Sequence, residues 1–283
     1  MIEHINWYPG HMKKTRELIQ DNLKAVDAVV EVIDARIPLS SRNPIIDELV
    51  GNRLRVIVLN KSDLADSKAI EDWITHYKEK GDPALSINAM SGGGVSRLFQ
   101  HLKKIEEKKN EGSLRFKPLR IMIVGVPNVG KSSLINRLTG KKSTITGDRP
   151  GVTKGKQWLS LKNGMQLLDT PGILWPKFED QQVGLNLAFC GSIKDEIMDV
   201  AELALELIRV LSKQYPELLK ERYKLEKLEE NPLETMETIA VKRGFLLPGK
   251  RIDYERAGRT IIDEFRAGMI GKITLEKCED LVR

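Results

Sequence analysis

Short apolar runs alternate with amphipathic stretches through the first part of the chain. Val29-Val30-Glu31-Val32-Ile33 and Arg55-Val56-Ile57-Val58-Leu59 are rich in β-branched residues and end on polar ones, Asp34 and Asn60. Such runs read as buried strands. Pro44 to Val50 predicts a short helix, Lys68 to Lys80 a longer amphipathic one, and Val95 to Lys109 another. Ala84 to Ile87 and Leu119 to Val124 are further strand regions. A glycine-containing loop and a helix from Lys131 to Leu138 follow the second of these. Lys156 to Leu161 and Met165 to Leu168 predict a hairpin around Asn163-Gly164. Strands alternating with helices predict an α/β domain built on a mostly parallel, doubly wound sheet.

From Gln181 the strands stop. Asp195 to Tyr215, Pro216 to Glu230, Thr235 to Arg243 and Asp253 to Ala267 each carry a helical pattern. The expected organisation is an α/β domain over residues 1–178, with an N-terminal arm at 1–14, and an all-helical domain over 179–283. Lys103 to Lys117 is rich in Lys, Glu and Asn and reads as a solvated connector, with no binding role needed.

Composition narrows the class. The chain has 283 residues, 41% hydrophobic and 30% charged, as expected for a globular protein with a real core. Its net charge of +6 suits an anionic partner such as RNA, and equally a solvated surface. Two cysteines, Cys190 and Cys278, have no metal-ligand spacing and argue against a disulfide framework or zinc site. No apolar run approaches a membrane span, and Met1 to Gly10 lacks the apolar stretch of a signal peptide. A cytoplasmic protein without a membrane partner is expected.

The strongest chemical signal is Gly125-Val126-Pro127-Asn128-Val129-Gly130-Lys131-Ser132, which matches G-x-x-x-x-G-K-[ST] between a strand and a helix. Backbone N–H groups of such a loop converge on a phosphate, and the helix N-terminus adds positive potential. Asn128, Val129, Gly130, Lys131, Ser132 and Ser133 are the candidate phosphate-side residues. Lys131 is expected to reach the β- and γ-phosphates, and the Ser132 hydroxyl to bind Mg²⁺. Asp169-Thr170-Pro171-Gly172 follows the last strand. Asp169 suits Mg²⁺ held through water, and the Gly172 amide suits the γ-phosphate. Thr153 is the first choice for a second Mg²⁺ hydroxyl, with Thr144 and Thr146 as rivals.

Asn60-Lys61-Ser62-Asp63 directly follows a buried strand. The Asp63 carboxylate accepts two hydrogen bonds from guanine, at N1–H and the exocyclic amine. Adenine presents an acceptor at N1 and no amine beside it, so it would strand the carboxylate. The Lys61 stem suits stacking over the purine while Asn60 braces the loops. Asn88-Ala89-Met90, after the next strand, suits a backbone N–H to guanine O6.

Together these motifs look like the Ras-type GTPase set in altered order, with base recognition ahead of the phosphate loop. That order resembles the circularly permuted GTPases. Asn6-Trp7-Tyr8-Pro9-Gly10-His11-Met12, Asp34-Ala35-Arg36-Ile37-Pro38, Arg42-Asn43-Pro44 and Gly147-Asp148-Arg149-Pro150-Gly151-Val152-Thr153 closely resemble the bacterial ribosome biogenesis GTPase A (YlqF/RbgA) group. The resemblance covers essentially the whole chain. It implies a circularly permuted Ras-like P-loop domain, GTP hydrolysed to GDP, and a role in late assembly of the large ribosomal subunit. The partner it implies is the precursor of that subunit and its rRNA; no DNA partner is expected.

Ras-like proteins carry a water-orienting Gln just after D-x-x-G. Here Ile173 stands in its place, so intrinsic turnover is expected to be slow and some other group must orient the water. His11 is the candidate catalytic residue beside Lys131 and Gly172; a structural role or an RNA contact is the alternative. In related GTPases an Asn at the position of Asn128 helps hold K⁺ beside the phosphates; loop bracing is the alternative. Permutation joins the helical domain to the chain just beyond Gly172 and Ile173, so movement there is expected to pass into that domain. Lys242, Arg243, Lys250, Arg251, Arg256, Arg259 and Arg266, interleaved with Phe245 and Tyr254, form a candidate RNA face that Lys13, Lys14 and Arg16 could extend. Two rivals remain: a metabolic ATPase or kinase, against which Asp63 argues, and a nucleotide-stabilised RNA-binding module with little turnover.

Overall fold

The structure, a computed structural model, describes residues 12–51, 53–140, 158–168 and 180–282. They form two compact units.

The first unit is built on a six-stranded sheet. Its strands are β1 (Ala28–Asp34), β2 (Leu54–Asn60), β3 (Ala84–Ser86), β4 (Arg120–Val124), β5 (Trp158–Ser160) and β6 (Gln166–Leu168), in the order β3-β2-β1-β4-β6-β5. All pairings are parallel except β5 with β6. Every residue of β1 is buried, as a central strand covered on both faces requires. Glu31 lies within it, facing Arg42 at 3.3 Å and Arg55 at 3.5 Å. Burial pushes the Glu31 carboxyl above its ordinary value, against the pull of those two cations.

Helices cover the sheet. They are α1 (Met12–Leu23), α2 (Pro44–Val50), α3 (Ser67–Glu79), α4 (Val95–Asn110) and α5 (Lys131–Thr139). The Asp66 side chain caps α3 through the Ala69 N–H, and α3 buries Ala69, Ile70, Trp73 and Tyr77 along one stripe. Strands β2 and β3 lie on one side of β1, and β4 and β6 on the other. The sheet therefore reverses direction between β1 and β4, and the crevice beyond their C-terminal ends is where α/β proteins bind ligands.

The second unit, residues 180–275, carries α6 (Gln181–Phe189), α7 (Val200–Gln214), α8 (Pro216–Tyr223), α9 (Pro232–Arg243) and α10 (Tyr254–Arg266). Leu203, Leu207, Leu211, Met236, Ile239, Ile261 and Phe265 supply its core. Three sequence expectations change here. The pattern from Asp195 to Tyr215 is a 3-10 turn (Asp195–Ile197) followed by α7, because Asp199 leaves the helix and caps the N–H groups of Ala201 and Glu202. The pattern from Pro216 to Glu230 ends at Tyr223, where Lys224 turns left-handed at φ +54°. The unit is also not wholly helical: β7 (Leu246–Leu247) and β8 (Arg251–Ile252) form a small hairpin between α9 and α10.

A fourth difference concerns the C-terminus. Residues 276–282 group with the first unit, not with the helices expected to extend to 283. Trp73 Nε1 donates to the Glu276 carbonyl at 2.8 Å, and Cys278 packs against the cluster that contains Trp73 and Tyr77. No described helix is long and apolar enough to cross a membrane.

Candidate nucleotide-binding site

The loop between β4 and α5 opens at the crevice between β1 and β4. Gly125 has φ +149°, and a Cβ there would lie 2.2 Å from the Val32 carbonyl of β1. Gly130 has φ +94°, and a Cβ there would lie 2.2 Å from Asn60 Nδ2. The loop is thus pressed against both β1 and the end of β2, and both glycines are sterically required. Asn128 is left-handed as well, at φ +60°. Ser132 and Ser133 stand half-buried in the first turn of α5. Lys131 is buried, and its ammonium folds back onto the Val126 carbonyl at 2.6 Å, keeping the charge over the mouth of the loop.

Asn60 joins the two halves of the site. Its Nδ2 donates to the Val129 carbonyl at 2.7 Å, and its Oδ1 accepts the Ala89 N–H at 2.9 Å. One buried amide therefore spans the N-K-S-D loop, the phosphate loop and the N-A-M segment. Asp63 is exposed at the end of that first loop. The Asn88 side chain accepts the N–H groups of Met90 and Ser91, tightening the turn that carries Ala89. The Ala89 amide already donates to Asn60 and the Asn88 amide to the Gly93 carbonyl. A bond from this segment to guanine O6, as expected from the sequence, would share or exchange one of these bonds.

Lys61, at φ +59°, makes a contact that the sequence does not announce. Its ammonium pairs with Asp34 at 2.8 Å. Asp34 also takes the Arg36 guanidinium, at 2.8 and 3.0 Å, and the Arg36 N–H at 3.1 Å. Burial alone would raise the Asp34 pKa. The charges and hydrogen bonds of Arg36 and Lys61 outweigh it and hold the carboxyl well below the usual carboxylate range. The stem of Lys61 is thereby held in place beside the N-K-S-D turn.

A family model described as "50S ribosome-binding GTPase" matches residues 120–241, and one described as "RsgA GTPase" matches residues 50–179. The second match takes in N-K-S-D, N-A-M and the phosphate loop in their permuted order. The chain is 47% identical to a ribosome biogenesis GTPase A of Bacillus cereus, over 98% of this chain and 95% of that one. The chain belongs to the ribosome biogenesis GTPase A family. It is 33% identical to the mitochondrial ribosome-associated GTPase 1 of Mus musculus, over 96% of this chain and 90% of that one. It also matches the crystal structure of GNP-bound YlqF from T. maritima with a TM-score of 0.67 at 30% identity, over 93% of this chain and 98% of that one. Family membership makes the fold a circularly permuted P-loop GTPase fold and the chain a guanine-nucleotide-binding GTPase.

In this member of the family, sequence reading overlooked two contributors. Arg137 of α5 donates from Nε to the Ala89 carbonyl at 3.1 Å and from its terminal nitrogen to the Met90 carbonyl, clamping the N-A-M turn onto the phosphate-side helix. Asp34 was read only as a family signature, yet it positions Lys61. An Arg facing outward on a predicted helix gives no sign of its target, whereas an Asp at a strand end beside N-K-S-D is a signal that could have been used. His11, Thr144, Thr146, Thr153, Asp169, Gly172 and Ile173 lie outside the described residues, as does the N-terminal arm up to that point.

The candidate RNA face changes in membership. Arg266 grips Asp195 through two 2.7 Å bonds and also donates to the carbonyls of Phe189 and Ala188. It is structural. Phe245 is buried with the Arg256 guanidinium 4.8 Å from its ring centroid, so it offers no open stacking face. Lys242, Arg243, Lys250, Arg251, Arg256 and Arg259 remain exposed, with Lys250 and Arg251 on the β7–β8 hairpin. Beside them Val241, Leu246, Leu247 and Tyr254 are exposed too. The side chains of Lys13, Lys14 and Arg16 lie outside those described.

Proposed function

We propose that GTP lies across the crevice between the phosphate loop and the N-K-S-D loop, is hydrolysed slowly by the chain alone, and is hydrolysed faster on the precursor of the large ribosomal subunit. The observation that carries this reading is the Asn60 amide, which ties the base loop to the phosphate loop at one fixed spacing. Asp63 reads the guanine edge, and Lys61, steadied by Asp34, lies along the base. The N–H groups from Asn128 to Ser133 hold the phosphates, with Lys131 leaving the Val126 carbonyl for them. Gly172 senses the γ-phosphate.

Ser132, in the first turn of α5 beside the phosphate loop, would hold Mg²⁺, with Thr153 as a second ligand and Asp169 acting through water. A bound Mg²⁺ neutralises charge on the β- and γ-phosphates. Ile173 has no group that hydrogen-bonds water, so His11 orients the nucleophile and turnover depends on the partner. Asn128, left-handed at φ +60°, would hold K⁺ beside the phosphates, and replacing K⁺ with Na⁺ would then slow turnover. The exposed basic residues around the β7–β8 hairpin contact rRNA, in the cytoplasm. Residues 1–178 and 179–275 serve as the nucleotide and RNA-binding parts.

Asp63→Asn tests the base assignment. The amide donates where the carboxylate accepted, matching the carbonyl that xanthine carries in place of the guanine amine. The substitution is expected to lose GDP by about 100-fold and gain xanthosine diphosphate, measured by titration. Unchanged preference for GDP would overturn the assignment.

A further inference from the structure

The tail that leaves the helical unit after Leu275 makes a dense set of bonds on the nucleotide unit. The Glu276 carboxylate accepts the backbone N–H of Leu39 at 2.6 Å and of Ser40 at 3.0 Å, and takes the Ser40 hydroxyl as well. Its carbonyl is held by Trp73 Nε1. Leu39 and Ser40 lie on the turn that follows β1, and Trp73 on α3. Tyr77 holds the same turn through the Pro38 carbonyl at 2.8 Å.

This turn leads straight to the base site. Ser41 Oγ accepts the Asp34 N–H at 3.0 Å and donates to the Ile37 carbonyl at 2.7 Å. The Ala35 N–H donates to the Asn60 carbonyl at 2.9 Å, and the Asp34 carboxylate holds Lys61. A continuous series of short bonds thus runs from Glu276, through residues 39–41, to the first two residues of N-K-S-D. Ser40 is buried, so its bonds to the carboxylate lie away from competing water.

We propose that Glu276 is a positioning residue for guanine recognition: it fixes the 37–41 turn that orients Asp34 and Lys61, so the tail beyond the helical unit sets how long the base is held. The inference rests on the base-site reading above.

The test uses the full chain with Glu276→Gln. The amide keeps one acceptor but turns an NH₂ toward the donors of residues 39 and 40. Dissociation of a fluorescent GDP analogue is measured by stopped flow, and pyrophosphate affinity by titration. GDP should leave about fivefold faster or more, the factor expected for one lost net hydrogen bond. Pyrophosphate, which lacks a base, should bind as in the wild type, and Glu276→Asp, which keeps the charge, should recover part of the GDP residence time. Alkylation of Cys278 should also quicken, against little background from buried Cys190. Unchanged GDP dissociation, or an equal loss of GDP and pyrophosphate that marks general loosening, overturns the proposal. Should Glu276→Gln fail to fold, Ser40→Ala removes the hydroxyl bond to Glu276 and must still shorten GDP residence. A wild-type chain without preference for GDP over ADP would instead refute the base-site reading itself.

Discussion

Replacing Asn60 with Ala removes a side chain that bridges three loops. Asn60 is 3% exposed, and both its bonds, 2.7 Å to Val129 and 2.9 Å from Ala89, lie in the interior. Ala at this position strands a carbonyl and an N–H away from water. Each such group costs about 1–3 kcal/mol, and a water entering the space left by the amide recovers part of this, so about 2–4 kcal/mol of stability should be lost. The binding effect has a separate origin. Without the bridge the base loop and phosphate loop are no longer held at one spacing, and ordering them again falls on the nucleotide. A cost of about 2 kcal/mol there lowers GDP affinity about 30-fold. Urea unfolding of the nucleotide-free chain, followed through the fully buried Trp73, reads the first quantity; GDP titration reads the second. Asn60→Asp serves as the isosteric comparison. It keeps the acceptor for Ala89 but sets a carboxylate oxygen against the Val129 carbonyl, so it should be at least as damaging as Ala. Wild-type unfolding together with GDP affinity within about twofold of wild type would refute the bridging role.

Other consequences are more local. Arg266→Ala should destabilise the helical unit by about 2 kcal/mol or more, because it removes four bonds, two of them to Asp195. Reversing Lys250 and Arg251 to Glu should instead weaken RNA binding with stability changed by no more than about 0.5 kcal/mol; thermal melts and RNA titrations separate the two cases. Asp34→Asn should cost about 3–5 kcal/mol at neutral pH by taking the buried carboxylate charge away from Arg36 and Lys61. Since the folded pKa of Asp34 is lowered, its contribution is complete above the ordinary value of 3.8 and drains away as pH falls below it. The penalty of the substitution should therefore shrink from pH 7 to pH 3, and an equal penalty at both would contradict the ion-pair account.

The parts of this molecule that sequence made legible are those whose signal is local. Val29 to Ile33 and Arg55 to Leu59 are strands because β-branched runs buried on both faces have few other solutions. Gly125 to Ser132 was recognisable because its glycines answer to steric demands of its own backbone and of the strand beside it. Helix boundaries were less legible at Asp199 and Lys224: an Asp that caps and an Asp that faces solvent look alike in an amphipathic pattern. The least legible features join residues distant in sequence. Nothing near Arg137 announces the Ala89 carbonyl, nothing near Arg266 announces Asp195, and nothing near Glu276 announces Leu39 and Ser40. Charge alone groups Arg266 with the candidate RNA face, and its partners remove it.

The central claim is a permuted guanine-nucleotide site whose hydrolysis is governed by a ribosomal partner. Phosphate release from GTP, measured with the chain alone and with large-subunit precursor particles, with ATP run in parallel, tests it most directly. The account predicts slow release alone, acceleration of about tenfold or more with the particles, and negligible use of ATP. Equal rates with and without particles, or ATP turned over as readily as GTP, would contradict it.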